Sequence, residues 1–157
     1  MTATDRPAPS GEAGRLIASL DLAPHPEGGW FRETWRAPAA DGARAASTAI
    51  LFLLPAGEVS RWHKVDADEI WLHHGGAPLA LAAAGEAGLE TATLGADVAR
   101  GETLQFVVPA GVWQAAKPLG PWSLVACVVA PGFDFAGFTL APPGQAPEGA
   151  EDFLPSE

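Results

Sequence analysis

Eight short apolar or alternating stretches, at 49–54, 59–65, 70–74, 79–83, 89–94, 104–108, 112–116 and 122–130, constrain this chain more than any other feature, because Gly, Pro and Asp separate most of them. Stretches of this length suit strands, and the punctuation between them suits tight turns. No helix-length segment with a 3.6-residue period lies between them, so the pattern predicts antiparallel sheets closing as a sandwich or barrel. A helix is expected only before them, over 12–20, where Leu16, Ile17 and Leu20 share one face and Pro24 and Pro26 stop it. The fold class is therefore all-β with a short N-terminal helix. A chain of 157 residues supports one core. The expected domain is 12–142, with flexible tails at 1–11 and 143–157 that are rich in Pro, Gly, Ala and acid.

Nine Lys and Arg against nineteen Asp and Glu leave a formal charge of −10. That balance repels phosphate backbones and anionic lipid, which argues against nucleic acid and membrane surfaces as partners. Residues 1–10 carry no apolar signal core and no later stretch is long enough to span a bilayer, so a cytoplasmic location is expected. Cys127 is alone in the chain. Its apolar neighbours predict a buried, inert thiol.

The chemistry concentrates in two segments. The first runs Gly57, His63, Val65, Glu69, Gly76; the second runs Gly101, Pro109-Ala-Gly111, Gln114, Pro118. Alternate strand residues share a face, which groups His63 with Val65 on one strand and Glu69 with Trp71 and His73 on the next. Gln114 follows a turn and enters the opposite wall. These spacings resemble the two motifs of a cupin barrel, in which histidine is usual at the positions of Val65 and Gln114 and asparagine at that of Pro118.

Further blocks resemble the Cupin_5 family, also called DUF985, over roughly residues 15–140. They are His25-Pro-Glu-Gly-Gly-Trp30, Ser47-Thr-Ala-Ile50, Asp68-Glu-Ile-Trp71, Val108-Pro-Ala-Gly111 and Val129-Ala-Pro-Gly-Phe-Asp134. The resemblance implies a double-stranded β-helix, an RmlC-like jelly roll, and a homodimer paired through edge strands. Members of the family are described as predicted sugar epimerases.

Two chemistries suit His63, Glu69 and Gln114. Imidazole and carboxylate oxygen are ordinary ligands for Zn, Mn, Fe or Ni, but valine donates nothing and an amide oxygen is a weak ligand, so this metal set is poor unless His73 joins it. The alternative is acid–base work without metal, with His63 as base and Glu69 as its partner. The stretch Glu27 to Glu33 is similar to a substrate-lining segment of deoxysugar-nucleotide 3,5-epimerases, with Gly28 where those enzymes carry arginine. Arg32 and Arg61 are expected to anchor an anionic, sugar-like ligand, and Trp71, His73 and Gln114 to line its pocket. The plain alternative is that the arginines neutralise Glu27, Glu33, Asp66 and Asp68 on the surface. His25 reads as a turn-stabilising hydrogen bonder, and Phe133, Phe135 and Phe138 as buried anchors of a lid or dimer contact.

The leading expectation is a metal-independent epimerase or isomerase moving a proton α to a carbonyl. Its rivals are a non-catalytic small-molecule-binding cupin and a metal-dependent enzyme with an atypical His/Glu/Gln site. Fold alone does not separate these.

Overall fold

A computed structural model describes residues 6–155. One α-helix, α1 (Gly11–Ser19), precedes eleven strands: β1 (Ala23–Pro24), β2 (Trp30–Arg36), β3 (Thr48–Pro55), β4 (Ser60–Val65), β5 (Asp68–Gly76), β6 (Leu79–Gly85), β7 (Gly88–Leu94), β8 (Gln105–Val108), β9 (Trp113–Pro118), β10 (Trp122–Ala130) and β11 (Phe138–Leu140). They form two antiparallel sheets, ordered β1-β2-β3-β10-β5-β8 and β11-β4-β9-β6-β7. Each interleaves strands distant in sequence, as a jelly-roll barrel requires. Among the described residues no helix is long and apolar enough to cross a membrane.

Between the sheets lies a core of Phe52, Leu54, Trp71, Leu79, Leu81, Leu94, Val108, Val125 and Cys127. It fills one end of the barrel with aliphatic bulk and leaves the other end open. Outside the six-stranded sheet, α1 lays Ala13 and Ile17 on Leu22, Trp30 and Leu53. Outside the five-stranded sheet, Ala150 and Phe153 pack on Trp62, Ala82 and Ala115. Within the segment expected as a tail, Ala150 and Phe153 are thus buried against the sheet, while most residues around them are exposed. A single aromatic and a few alanines suffice because the sheet face beneath them is itself alanine and tryptophan.

Three strands lie outside the apolar pattern: the two-residue β1, together with β2 and β11. β2 carries Arg32, Glu33 and Arg36 and is exposed from Arg32 onward, so its strand character rests on pairing with β3 rather than on burial. β11 has only three residues and pairs with β4 through Phe138 and Val65. Phe135, expected as a buried anchor, is 54% exposed, whereas Phe133 and Phe138 are partly covered.

Candidate functional site

The open end of the barrel encloses a cavity of about 380 Å³, lined by side chains of both sheets, the 25–27 loop and the 133–135 segment. Its polar wall begins with β4. The register of β4 on β9 slips between Ser60 and His63, so three residue steps on β4 face two on β9, from Ala116 to Gln114. Ser60 and His63 are both fully buried as a result, and Trp62 turns to the outer face against Phe153.

His63 Nδ1 lies 2.7 Å from the Arg61 carbonyl oxygen, and Nε2 lies 3.2 Å from Glu27 Oε2. A carbonyl only accepts, so Nδ1 carries a proton. Nε2 and the carboxyl oxygen then share a single proton, as neutral imidazole with carboxylic acid or as imidazolium with carboxylate. Burial raises the pKa of Glu27 and lowers that of His63, and both shifts favour the neutral arrangement. Ser60 Oγ donates to the other Glu27 oxygen at 2.8 Å.

Glu27 reaches this position on a loop made possible by two glycines. Gly28 has φ +108°, and a Cβ there would overlap the carbonyl oxygen of Val59. Gly29 has φ +74°, and its Cβ would meet the Phe52 ring at 2.6 Å. Only glycine allows both the left-handed backbone and this approach. The loop is closed by His25 N–H donating to Gly29 O, Gly28 N–H to His25 O, and Arg61 N–H to Glu27 O. The side chain of Arg61 adds bonds to the carbonyls of Pro26 and Glu27.

Across the cavity, Glu69 is held by a relay. The Trp71 indole N–H donates to Gln114 Oε1 at 2.8 Å, and Gln114 Nε2 donates to Glu69 Oε2 at 2.9 Å. An indole nitrogen only donates, which fixes the orientation of the amide. Burial outweighs this donor and pushes the Glu69 pKa up from 4.5 to about 7. The Cys127 thiol lines the same cavity, with its pKa raised by burial and by the nearby carboxyls, so it remains a neutral thiol.

The family model described as "Cupin superfamily (DUF985)", Cupin_5, matches residues 14–141. The chain belongs to the Cupin_5 family. An uncharacterised protein of Saccharomyces cerevisiae, YML079W, is 30% identical over 155 residues, covering 85% of this chain and 77% of its own. A structure from Shewanella oneidensis is similar at 41% identity and TM-score 0.79, over 84% of this chain and 85% of that one. A hypothetical protein from Leishmania major is similar at 32% identity and TM-score 0.78, over 86% and 90%. Oxalate decarboxylase of Bacillus subtilis shares the fold at 14% identity and TM-score 0.58, over 74% of this chain and 29% of its own.

Within this Cupin_5 barrel, His63 and Glu69 line one cavity, but the carboxyl bonded to His63 is Glu27, not Glu69. Trp71 and Gln114 are fully buried one layer behind the wall, and they fix Glu69 instead of lining the pocket. Arg32 is exposed, because Phe31 takes the cavity side of β2 and strand alternation turns its neighbour outward. Arg61 shares a face with His63 only if β4 is regular; the register slip sends it to the 25–29 loop. His73 lies four residues along β5 from Glu69, about 13 Å at strand rise, and its Nε2 is 3.2 Å from the Ala77 carbonyl.

The expected ligand set His63, Glu69 and Gln114 does not fit a metal ion. Both His63 nitrogens are engaged within the protein, and the Gln114 oxygen accepts from Trp71. Among the described residues no group of three or more His, Cys, Asp and Glu side chains is placed to hold one. One residue of the site departs from its plain sequence reading: Glu27 is buried in the cavity wall rather than a surface partner for arginine. His25 stabilises its turn as expected, accepting the Glu27 N–H, and it also lines the cavity. The adjacent glycines at 28 and 29 were the signal, since such a pair marks close backbone approach.

Proposed function

We propose that the cavity is the active site of an isomerase or epimerase that moves a proton at the carbon α to a carbonyl in a small, sugar-like compound. The observation that supports it most is that Glu69, a buried carboxyl with a pKa of about 7, faces the same cavity as the single-proton pair Glu27–His63. Epimerisation needs one group to take a proton and a second to give one, each with a proton affinity near working pH. Ionised Glu69 takes the α-hydrogen, the C–H electron pair becomes the C=C of an enolate, and charge gathers on the carbonyl oxygen. The Glu27–His63 pair returns its proton to the other face of that carbon. Because both nitrogens of His63 are occupied, the pair exchanges its proton through Glu27, and His63 acts as the store behind it.

Solvent deuterium incorporation, followed by proton NMR across neutral keto-sugars and uronates, tests this. Wild type should label the α-carbon of at least one compound, and Glu69→Gln and Glu27→Gln should each abolish labelling. Labelling that survives in both variants would remove these groups from the reaction.

One observation favours the second reading, a non-catalytic binding cupin. The hydrogen bonds of His63 are closed within the protein, which suits a rigid pocket wall as well as a proton store. That reading expects saturable binding of a panel member with no labelling.

A further inference from the structure

We infer that His25 Nε2–H is the donor that grips a carbonyl oxygen of the ligand, and that this ligand is uncharged. The inference rests on the reading of the cavity as a site for a carbonyl compound, but it concerns recognition, not proton transfer. His25 is only 7% exposed, and its ring lines the cavity. Its Nδ1 accepts the backbone N–H of Glu27 at 3.1 Å, so in neutral imidazole the proton is on Nε2. Burial lowers the His25 pKa, which keeps the ring in that neutral form. The ring makes its one side-chain hydrogen bond through Nδ1, and Nε2 has no partner among the described residues. The ring cannot turn away, because Phe31 meets it edge-on at 4.5 Å and Phe52 at 5.8 Å. A donor on a confined ring that faces the cavity and has no partner in the protein is suited to an acceptor supplied from outside. In an enolisation a neutral imidazole placed this way holds the developing oxyanion without contributing a charge of its own.

The charge pattern selects the ligand. Four carboxyl side chains line the cavity, Glu27, Glu33, Glu69 and Asp134, against one guanidinium, Arg36. Arg36 is already bidentate to Glu33 at 2.8 Å and donates to the Phe133 carbonyl at 3.1 Å. Nothing is left over to neutralise a carboxylate or phosphate, so the anionic ligand expected from the arginine count in the sequence gives way to a neutral one. Phe31, Ile50, Val65 and Phe133 offer an apolar wall for a ring face. A volume of about 380 Å³ is near the small end for ligand pockets, which fits a single ring.

The test uses 2-hydroxycyclohexanone, a neutral ring with a carbonyl and an α-hydrogen, against cyclohexane-1,2-diol, which lacks the carbonyl, and glucuronate, which adds a charge. Titrations are followed in imidazole ¹H–¹⁵N spectra. The ketone should shift the His25 Nε2 resonance, and it should bind more tightly than either comparator. His25→Phe, which keeps a flat ring and removes the donor, should weaken the ketone by about fivefold or more and leave the diol unchanged. The wild-type spectra decide the matter even if that variant is unstable. The inference is overturned if the ketone fails to bind at millimolar concentration, leaves His25 Nε2 unmoved, or binds less tightly than glucuronate. Ketone binding through His25 without α-deuterium exchange upholds the donor and refutes the proton-transfer reading. Exchange that needs Glu69 and is indifferent to His25→Phe does the reverse.

Discussion

Replacing Glu69 by Gln should make the protein insensitive to a pH change that destabilises the wild type. Gln keeps the shape of the side chain and still accepts from Gln114 Nε2, but it has no proton to lose. In the wild type, Glu69 has a pKa near 4.5 when the chain is unfolded and about 7 when it is folded. A group whose pKa is raised on folding contributes its full stability below the unfolded value and loses it as pH rises through the folded one. At about 1.4 kcal/mol per pH unit across that window, the loss is about 3 kcal/mol. Near pH 4.5 the two proteins should be almost equally stable, and above pH 7 Glu69→Gln should be more stable by about 3 kcal/mol. Urea unfolding at steps from pH 4.5 to 8.5 measures this directly, with unchanged m-values confirming that both proteins unfold alike. His25 and His63, whose pKa values are lowered, lose stability in the opposite direction as pH falls. His25 acts alike in both proteins, whereas His63, whose pKa the Glu69 charge raises, shifts with the substitution, so the difference curve reports Glu69 together with its coupling to His63. A difference that stays constant within about 0.5 kcal/mol would show that Glu69 is as ionised in the cavity as in water, and the acid–base reading would lose its base.

Three other perturbations test the surrounding structure. Gln114→Leu leaves the Trp71 indole N–H and Glu69 without their shared partner; it should cost about 2 kcal/mol in urea unfolding and raise the Glu69 pKa further in a carboxyl ¹³C titration. Gly28→Ala forces a Cβ onto the Val59 carbonyl at a left-handed backbone angle, so a loss of about 3 kcal/mol is expected, together with a changed His63 ¹⁵N spectrum as Glu27 is displaced. Phe153→Ala should cost about 2–3 kcal/mol and alter Trp62 fluorescence, because the two rings meet edge-on at 6.0 Å; an unchanged melting midpoint would mean that the C-terminal segment is not docked in solution.

The barrel was legible because its strands bury one face, and alternation records that face residue by residue. The stretch 122–130 coincides with β10 to the residue, since its odd positions from Ser123 to Val129 are all buried. β2 was not legible, because charged Arg32, Glu33 and Arg36 obscure a strand secured by its hydrogen bonds to β3. The site divided in the same way. His63, Glu69 and Gln114 could be placed near one another because they lie on strands, where spacing sets direction. His25 and Glu27 lie in an irregular loop, where spacing carries no such information. Arg61 was misplaced for a related reason: a one-residue slip in pairing reverses every inference drawn from alternation.

That slip ties Arg61 to the interior in two ways at once. Outward, its backbone N–H and guanidinium hold the loop that carries Glu27; inward, its carbonyl oxygen dictates which nitrogen of His63 bears hydrogen. The position of the carboxyl and the tautomer of the imidazole therefore have a common origin in one residue. A half-exposed arginine that never touches the cavity thus helps determine where a proton rests inside it, and substitutions that crowd the Glu27 loop should register as changes in cavity acidity before they register as changes in shape.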